Sequence, residues 1–156
     1  MCSSFLTIRD DQIYLIHQSA KDYLSDEARA TVFPSQSKTH YDMFSRSLAL
    51  MYATLKRDMY DLIALGFPID KVEVPVHDPL AATRYSCIRW VDHLYDSFLS
   101  SSSECIESLQ DGGAIHTFLK AQYLHWLEAL SLCRNMSAGV ISMTKMEALV
   151  KVNRNR

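Results

Sequence analysis

The spacing of apolar residues changes once along this chain, and the change limits the folds open to it. Residues 5–9 and 12–17 are rich in β-branched and aromatic side chains, and Asp10 and Asp11 between them supply turn chemistry. From about residue 38 onward the apolar residues recur at steps of three and four, which is the period of an α-helix. The sequence therefore predicts a mainly α fold with an N-terminal β-hairpin.

A short helix is predicted directly after the hairpin, over residues 20–24. Ser19 offers a hydroxyl as N-cap, and Asp22 lies three residues on, where its carboxylate can bond the cap amide and complement the helix dipole. His17 stands just before this helix start, where an imidazole can donate to a phosphate oxygen. The alternative, which the residues alone favour, is that His17 bonds a nearby carbonyl.

Four longer segments complete the predicted architecture. The first covers residues 38–57, where Tyr41, Phe44, Leu48, Met51 and Leu55 share one face. The second runs to Phe98, with Asp78 as N-cap and Pro79 at its first position. Two more are marked by apolar residues at helical spacing: Ile115, Leu119, Tyr123, Trp126, Leu130 and Cys133 in one, and Val140, Met143 and Val150 with Glu147 in the other, which Ser137 caps.

Shorter segments separate these helices. Residues 59–65 are predicted to be irregular or briefly helical, residues 72–77 are too interrupted by Pro75 for a central strand, and the serines at 100–103 form a loop. Another turn is predicted at residues 111–113. The predicted architecture is thus a hairpin followed by an α-helical bundle or solenoid-like array of four to five helices.

Composition narrows the functional classes. The chain has 156 residues, of which 48% are hydrophobic and 22% charged, as in an ordinary soluble domain. A net charge of -2 argues against nucleic-acid binding, and no apolar run approaches the ~18 residues of a membrane span. The four cysteines show no CxxC spacing. The N-terminus lacks the basic segment and following apolar run of a secretory signal peptide. We therefore expect a reduced, cytoplasmic protein.

The sequence offers no catalytic signature. None of its four glycines belongs to a GxxxxGK[ST] or GxGxxG motif, and its six histidines form no HExxH or HxH pair, so we predict no metal site and no enzyme activity. Cys87 and Cys133 are predicted to be small core residues rather than nucleophiles. The adjacent Asp92 and His93 point about 100° apart on a helix and are predicted to be ordinary surface or helix-pairing groups.

Residues 13–24, IYLIHQSAKDYL, resemble the end of the winged-helix domain of NACHT-type STAND nucleotide-switch proteins. Further segments resemble the helical region after the NACHT module in fungal NACHT and WD-repeat proteins of the heterokaryon-incompatibility type. They are HYDMFSRSLALMYATLKRDMYDL from His40, GFPID from Gly66, DPLAATRYSCIRWVDHLYDSF from Asp78, and the stretch that opens with LQDGGAIHTFLKAQYLHWLEAL at Leu109. Together they cover nearly the whole chain.

The resemblance implies a middle piece of a larger signalling ATPase. In that family an upstream P-loop domain binds ATP or ADP with Mg²⁺, and a winged-helix histidine contacts the β-phosphate of ADP. Only His17 matches such a contact here, because the Walker residues and the repeat signatures have no counterpart in this sequence. The resemblance implies no cofactor for this chain itself, and intramolecular NACHT and repeat domains, or other proteins, as its partners.

The resemblance also implies two domains, with residues 1–25 as the C-terminal part of a winged helix and residues 26–156 as an α-helical connector. Because a hairpin and one helix cannot bury both strand faces, Phe5, Ile8, Ile13 and Leu15 are expected to pack on the helical part or to stay partly exposed.

Two functions remain open. The first is a non-catalytic regulatory and scaffold segment that links nucleotide state to a repeat sensor, in fungal self/non-self recognition. The second is a stand-alone helical interaction module, or a degenerate gene fragment. The module would hold a partner helix through aromatic faces, either Tyr85, Trp90 and Tyr95 or Tyr123 and Trp126.

Overall fold

The computed structural model describes residues 6–9, 12–15, 17–22, 35–64, 66–98 and 103–154. The chain divides into two compact units, Met1–Gln36 and Ser37–Arg156. The predicted domain boundary after residue 25 lies outside the described residues, as do Phe5 and the turn at Asp10 and Asp11.

The first unit contains the predicted hairpin. Strand β1 (Leu6–Arg9) pairs antiparallel with β2 (Gln12–Leu15) in the register Leu6↔Leu15, Thr7↔Tyr14, Ile8↔Ile13 and Arg9↔Gln12. Tyr14 and Leu15 are exposed, so the expected partial exposure holds for Leu15. Helix α1 follows at Gln18–Asp22.

Helix α1 starts earlier than predicted, and Ser19 is its second residue rather than its N-cap. The Asp22 carboxylate accepts a hydrogen bond from the Gln18 side-chain amide at 2.9 Å instead of returning to a cap amide. An i,i+4 pair of this kind stabilises a helix, and here it joins the first and last residues of α1.

The second unit is helical throughout its regular structure. It comprises α2 (Gln36–Thr54, which begins one residue before the unit), a 3₁₀ turn (Ile69–Lys71), α3 (Arg84–Phe98), α4 (Ser103–Ser108), α5 (Ala114–Leu132) and α6 (Met136–Arg154). Helix α3 packs against α4, α5 and α6. The mainly α fold with an N-terminal hairpin is thus confirmed. None of the helices within the described ranges combines the length and hydropathy that crossing a membrane requires.

Four aromatic rings form the centre of this unit. The indole of Trp90 lies 6.2 Å from the Phe44 ring, 5.3 Å from the Phe118 ring and 5.6 Å from the Trp126 ring, and all four side chains are almost fully buried. The two closest pairs are edge-on, the geometry that the ring quadrupoles favour. The aromatic centre therefore joins α2, α3 and α5 into one core.

Two predicted helix starts in the second unit are also wrong. Helix α3 begins at Arg84 instead of Pro79, because residues 79–83 form successive turns in which the Leu80 carbonyl accepts the amides of Thr83 and Arg84. Asp78 still caps this segment, since its carboxylate accepts the Leu80 amide at 2.8 Å. Helix α6 begins at Met136, so Ser137 lies in its first turn, and α4 was not predicted at all.

The buried face of α6 is displaced by one residue from the apolar row of the sequence. Gly139, Ser142, Met146 and Leu149 are buried, whereas Val140 is 68% exposed. The reason lies at Gly139, where an added Cβ would come within 2.8 Å of the Leu130 side chain. Helix α6 therefore approaches α5 on its small residues and leaves Val140 outside.

Candidate functional site

The best-defined polar site of the second unit lies between the first turns of α2 and the middle of α3. We call it the junction cluster, and it consists of His40, Tyr85, His93 and Asp96. Ser37 stands beside the cluster and donates its hydroxyl to the Ser97 carbonyl at 2.8 Å. These contacts fasten the start of α2 to α3, immediately after the first unit ends in sequence.

His93 is the centre of the junction cluster. Its Nδ1 lies 3.0 Å from the Nδ1 of His40, and its Nε2 lies 2.8 Å from the Tyr85 hydroxyl, so both ring nitrogens are engaged. Only 8% of the residue is exposed. Burial, followed by the neighbouring His40, lowers the pKa of His93 below its ordinary value of 6.5. His93 is therefore disposed to stay neutral inside the cluster.

The rim of the junction cluster is acidic and partly solvated. The Asp96 carboxylate lies 3.7 Å from the Nδ1 of His40, and the side chains of His40 and Asp96 are 21% and 48% exposed. This carboxylate places negative charge at the more exposed edge of the junction cluster.

A second polar network lies at the start of α3. The Tyr60 hydroxyl and the Arg84 guanidinium each donate to Asp78, both at 2.9 Å. Burial, and next the hydrogen bond to Asp78, raise the pKa of Tyr60 to about 12. Burial acts to raise the pKa of Asp78, but hydrogen bonds from Leu80, Tyr60 and Arg84 outweigh it and hold that pKa below its usual value. This network is structural, because Tyr60 is only 8% exposed.

Carboxylates also shape the irregular segment after α2. Glu128 of α5 accepts the amides of Asp58 and Met59 at 3.2 and 2.9 Å, and Asp58 in turn accepts those of Leu62 and Ile63 at 2.7 and 3.0 Å. The segment includes left-handed backbone at Asp58, Asp61 and Ile63. It borders a cleft of about 330 Å³ lined mainly by apolar residues, among them Leu62, Phe67 and Leu132.

The residues singled out from the sequence fall in different places. His17 is exposed at the joint between β2 and α1, in the first unit, so its proposed phosphate contact stays a prediction. Asp92 does pair helices, as its carboxylate bonds Lys145 of α6 at 2.5 Å and Arg89 at 3.0 Å. His93 is a helix-pairing group as well, but it is buried rather than on the surface.

The cysteine prediction is confirmed at Cys87, which is fully buried, while Cys133 is half-buried. Trp90 and Trp126 are fully buried too, so neither is available to hold a partner helix. The Trp126 indole donates to the Cys87 carbonyl at 2.8 Å. Across the described parts of the chain, no three His, Cys, Asp or Glu side chains gather in a way that would hold a metal ion.

Sequence reasoning missed the His40–His93 contact. The two residues are 53 positions apart, and neither occurs in a recognisable motif. Their places on α2 and α3 gave the only signal, since His40 lies one turn before the buried Phe44 and His93 lies one turn after the buried Trp90.

One comparison with known proteins gives a clear match. The chain is 47% identical over 163 aligned residues to the vegetative incompatibility protein HET-E-1 of Podospora anserina, and the match includes 96% of this chain. The chain spans only 12% of that protein's length. No protein-family model matches the chain, and no solved structure matches it significantly. The match supports a relationship to a fungal incompatibility protein.

Proposed function

We propose that this chain is a non-catalytic regulatory and scaffold segment of a fungal NACHT-type STAND signalling protein, acting in self/non-self recognition. The single observation that carries the proposal is the 47% identity to HET-E-1, a vegetative incompatibility protein, over nearly the whole chain. Any nucleotide chemistry belongs to the larger protein in this proposal, and this chain contributes no catalytic residue. The cytoplasm is the compartment in which such a segment would work.

The two units suit different parts of this role. The hairpin and α1 bring His17 to an exposed position before a helix, where the family resemblance implies a contact with the β-phosphate of ADP. The second unit has a continuous core built around interlocking aromatic rings, which suits a rigid connector. In this proposal its helices carry nucleotide state toward a repeat sensor domain.

The proposal is tested by calorimetric titration with ADP and Mg²⁺. The full chain is titrated alone and then mixed with the NACHT module from the matching longer protein. We expect no binding by the chain alone, because one histidine beside a five-residue helix cannot replace a phosphate loop. In the mixture we expect tighter ADP binding that His17→Ala abolishes.

A matched control is His77→Ala, which removes an exposed histidine of the second unit. It should leave the tightening unchanged. Nucleotide binding by the isolated chain would contradict the assignment of the phosphate site to another domain, and a mixture indifferent to His17 would contradict the sensor role.

A stand-alone interaction module is the second candidate, and one observation favours it. The second unit exposes several large apolar side chains, of which Val76, Ile63 and Leu124 are 97%, 91% and 75% exposed. Such side chains are available to a partner, unlike the buried tryptophans. Val76→Ser and Ile63→Ser should weaken binding to any partner recovered with the full chain while leaving its unfolding midpoint nearly unchanged.

A further inference from the structure

We propose that the hydrogen bond between His40 and His93 is a latch that depends on pH. The latch holds the first turns of α2 on α3 while the two imidazoles together carry at most one excess proton. It opens when the pair binds a second proton. What opening would transmit rests on the connector function proposed above. The latch itself depends only on the geometry of the junction cluster.

The geometry admits one hydrogen between the two rings. The two Nδ1 atoms are 3.0 Å apart, and the ring centroids are separated by 5.2 Å with 42° between the ring planes. At this distance one nitrogen must carry the proton and the other must accept it. The rings of His40 and His93 therefore hold complementary tautomers when both are neutral.

The state of His93 is coupled to Tyr85 on its other side. If His93 accepts at Nδ1, its Nε2–H donates to the Tyr85 oxygen 2.8 Å away, and if it donates at Nδ1, Nε2 accepts from the Tyr85 hydroxyl. A hydroxyl can fill either role. Tyr85 thus keeps His93 bonded in both neutral arrangements.

A first added proton strengthens the contact. One charged Nδ1–H then donates to the neutral ring 3.0 Å away, and a hydrogen bond from a charged donor is stronger than one between two neutral rings. A second proton would place hydrogen on both Nδ1 atoms. No acceptor would remain between them, and two cations would face each other at a largely buried site, so the rings must separate.

The charged groups around the pair are arranged for this response. Asp96, Asp92 and Arg89 act on His93 from its own helix, and His40 acts on it from α2. Lys145 of α6 is bonded to Asp92, which offsets part of that carboxylate's attraction for a proton. Cys105 of α4 bonds Ser97 and the Leu94 carbonyl rather than either imidazole. Among the residues that the structure describes, Asp96 is therefore the one carboxylate that forms an ion-pair contact with His40.

The first test follows the imidazole nitrogens of the ¹⁵N-labelled full chain by long-range ¹H–¹⁵N NMR between pH 8 and pH 5. We expect one Nδ1–H and one Nε2–H tautomer in the pair at pH 8. On acidification the pair should bind one proton in a first step and the second only at lower pH, when the hydrogen bond between the two Nδ1 atoms is lost. Identical Nε2–H tautomers at pH 8, or uptake of both protons in a single step, would overturn the latch.

The second test measures hydrogen exchange of the amides at positions 41–44 of α2, with those at 146–149 of α6 as internal reference. Relative to the reference and corrected for intrinsic rates, exchange at 41–44 should rise about tenfold between pH 7 and pH 5, the factor that corresponds to one pKa unit. His40→Asn, which keeps a hydrogen-bonding group that does not titrate, should remove the rise.

His77→Asn serves as the control, because it removes an exposed histidine elsewhere in the same unit. It should retain the full rise. A flat response in the parent chain, or an unchanged rise in His40→Asn, would overturn the proposal. None of these measurements involves nucleotide or another domain. Their results can therefore contradict the latch without contradicting the connector function, and the ADP titration can contradict the connector function without contradicting the latch.

Discussion

Trp126 of α5 donates its indole N–H to the backbone carbonyl of Cys87 on α3 at 2.8 Å, whereas the Nε1 of Trp90, equally buried, has no hydrogen-bond partner among the described residues. The two indoles lie edge-on to each other, with their centroids 5.6 Å apart. Trp126 thus joins α5 to α3 by a hydrogen bond, whereas Trp90 stabilises the core by packing.

This difference predicts unequal costs for the same substitution. Trp126→Phe and Trp90→Phe both remove ring volume, but only Trp126→Phe removes a hydrogen bond, which contributes about 1 kcal/mol. We expect Trp126→Phe to lower the free energy of unfolding by about 1 kcal/mol more than Trp90→Phe in urea titrations. Equal losses would show that the indole hydrogen bond adds nothing to packing.

Glu128→Gln should destabilise the chain by about 1 to 3 kcal/mol. The amide would place an N–H group against one of the two backbone amides that the carboxylate now accepts, those of Asp58 and Met59. Thermal unfolding followed by circular dichroism measures the loss. Glu147→Gln at an exposed position of α6, where the carboxylate pairs with Lys151, is the matched control and should leave the midpoint nearly unchanged.

The phenol of Tyr60 should ionise only at high pH, because its pKa is raised to about 12. A tyrosine whose pKa is raised in the folded protein stabilises that fold fully below its unfolded value near 10, and the stabilisation is lost as the pH rises from 10 toward about 12. In Tyr60→Phe this alkaline loss should be smaller, which unfolding midpoints at pH 9 and pH 11 would reveal. An identical decline in parent and variant would contradict the buried bond to Asp78.

Acid should lower the stability of the fold in two separate pH ranges. The lowered pKa of His93 means that the unfolded chain binds protons more strongly below pH 6.5, so stability decreases as the pH falls through that value. For Asp92 burial acts to raise the pKa, but the bonds to Lys145 and Arg89 outweigh it and lower the pKa, so its contribution is lost only as the pH falls below its ordinary 3.8. We would measure the unfolding midpoints of the parent and of His93→Gln between pH 8 and pH 3. The dependence of the midpoint on pH should differ between the two proteins only in the upper range, near pH 6.5 and just below it.

Thiol reactivity should follow burial. Burial, and next the neighbouring Cys133, raise the pKa of the Cys87 thiol to about 12, and burial also raises the pKa of Cys105 and of Cys133. Cys133 alone among these three is half-exposed. Alkylation with iodoacetamide at pH 8, located by peptide mass spectrometry, should therefore modify Cys133 before Cys87 and Cys105. Rapid labelling of Cys87 would indicate that the aromatic core opens.

Local periodicity was sufficient to place most of the helices, and it failed where distant contacts decide. Phe44, Leu48 and Met51 are buried on the predicted face of α2, since that face meets the core along its length. On α3, Trp90 of the suggested aromatic face is buried with Cys87 and Leu94, whereas Tyr85 and Tyr95 of that face are exposed. Apolar character alone cannot distinguish two neighbouring rows on one helix.

The junction cluster depended on information that no local pattern carries. A histidine has the same appearance in sequence whether it is solvated or bonded to another histidine 53 residues away. His17, by contrast, was singled out by its position before a helix, and the structure keeps it in that position. The prediction of its phosphate contact depends on a domain outside this chain.

The carboxylate of Glu128 has a consequence for the order of folding. The amides that it accepts belong to residues 69 and 70 positions earlier, so until α5 has formed and docked only water can bond them. A contact of such long sequence separation forms only after the entropy of closing the intervening chain has been lost. We therefore expect the bend that joins the first long helix to the rest of the unit to be among the last parts to become ordered.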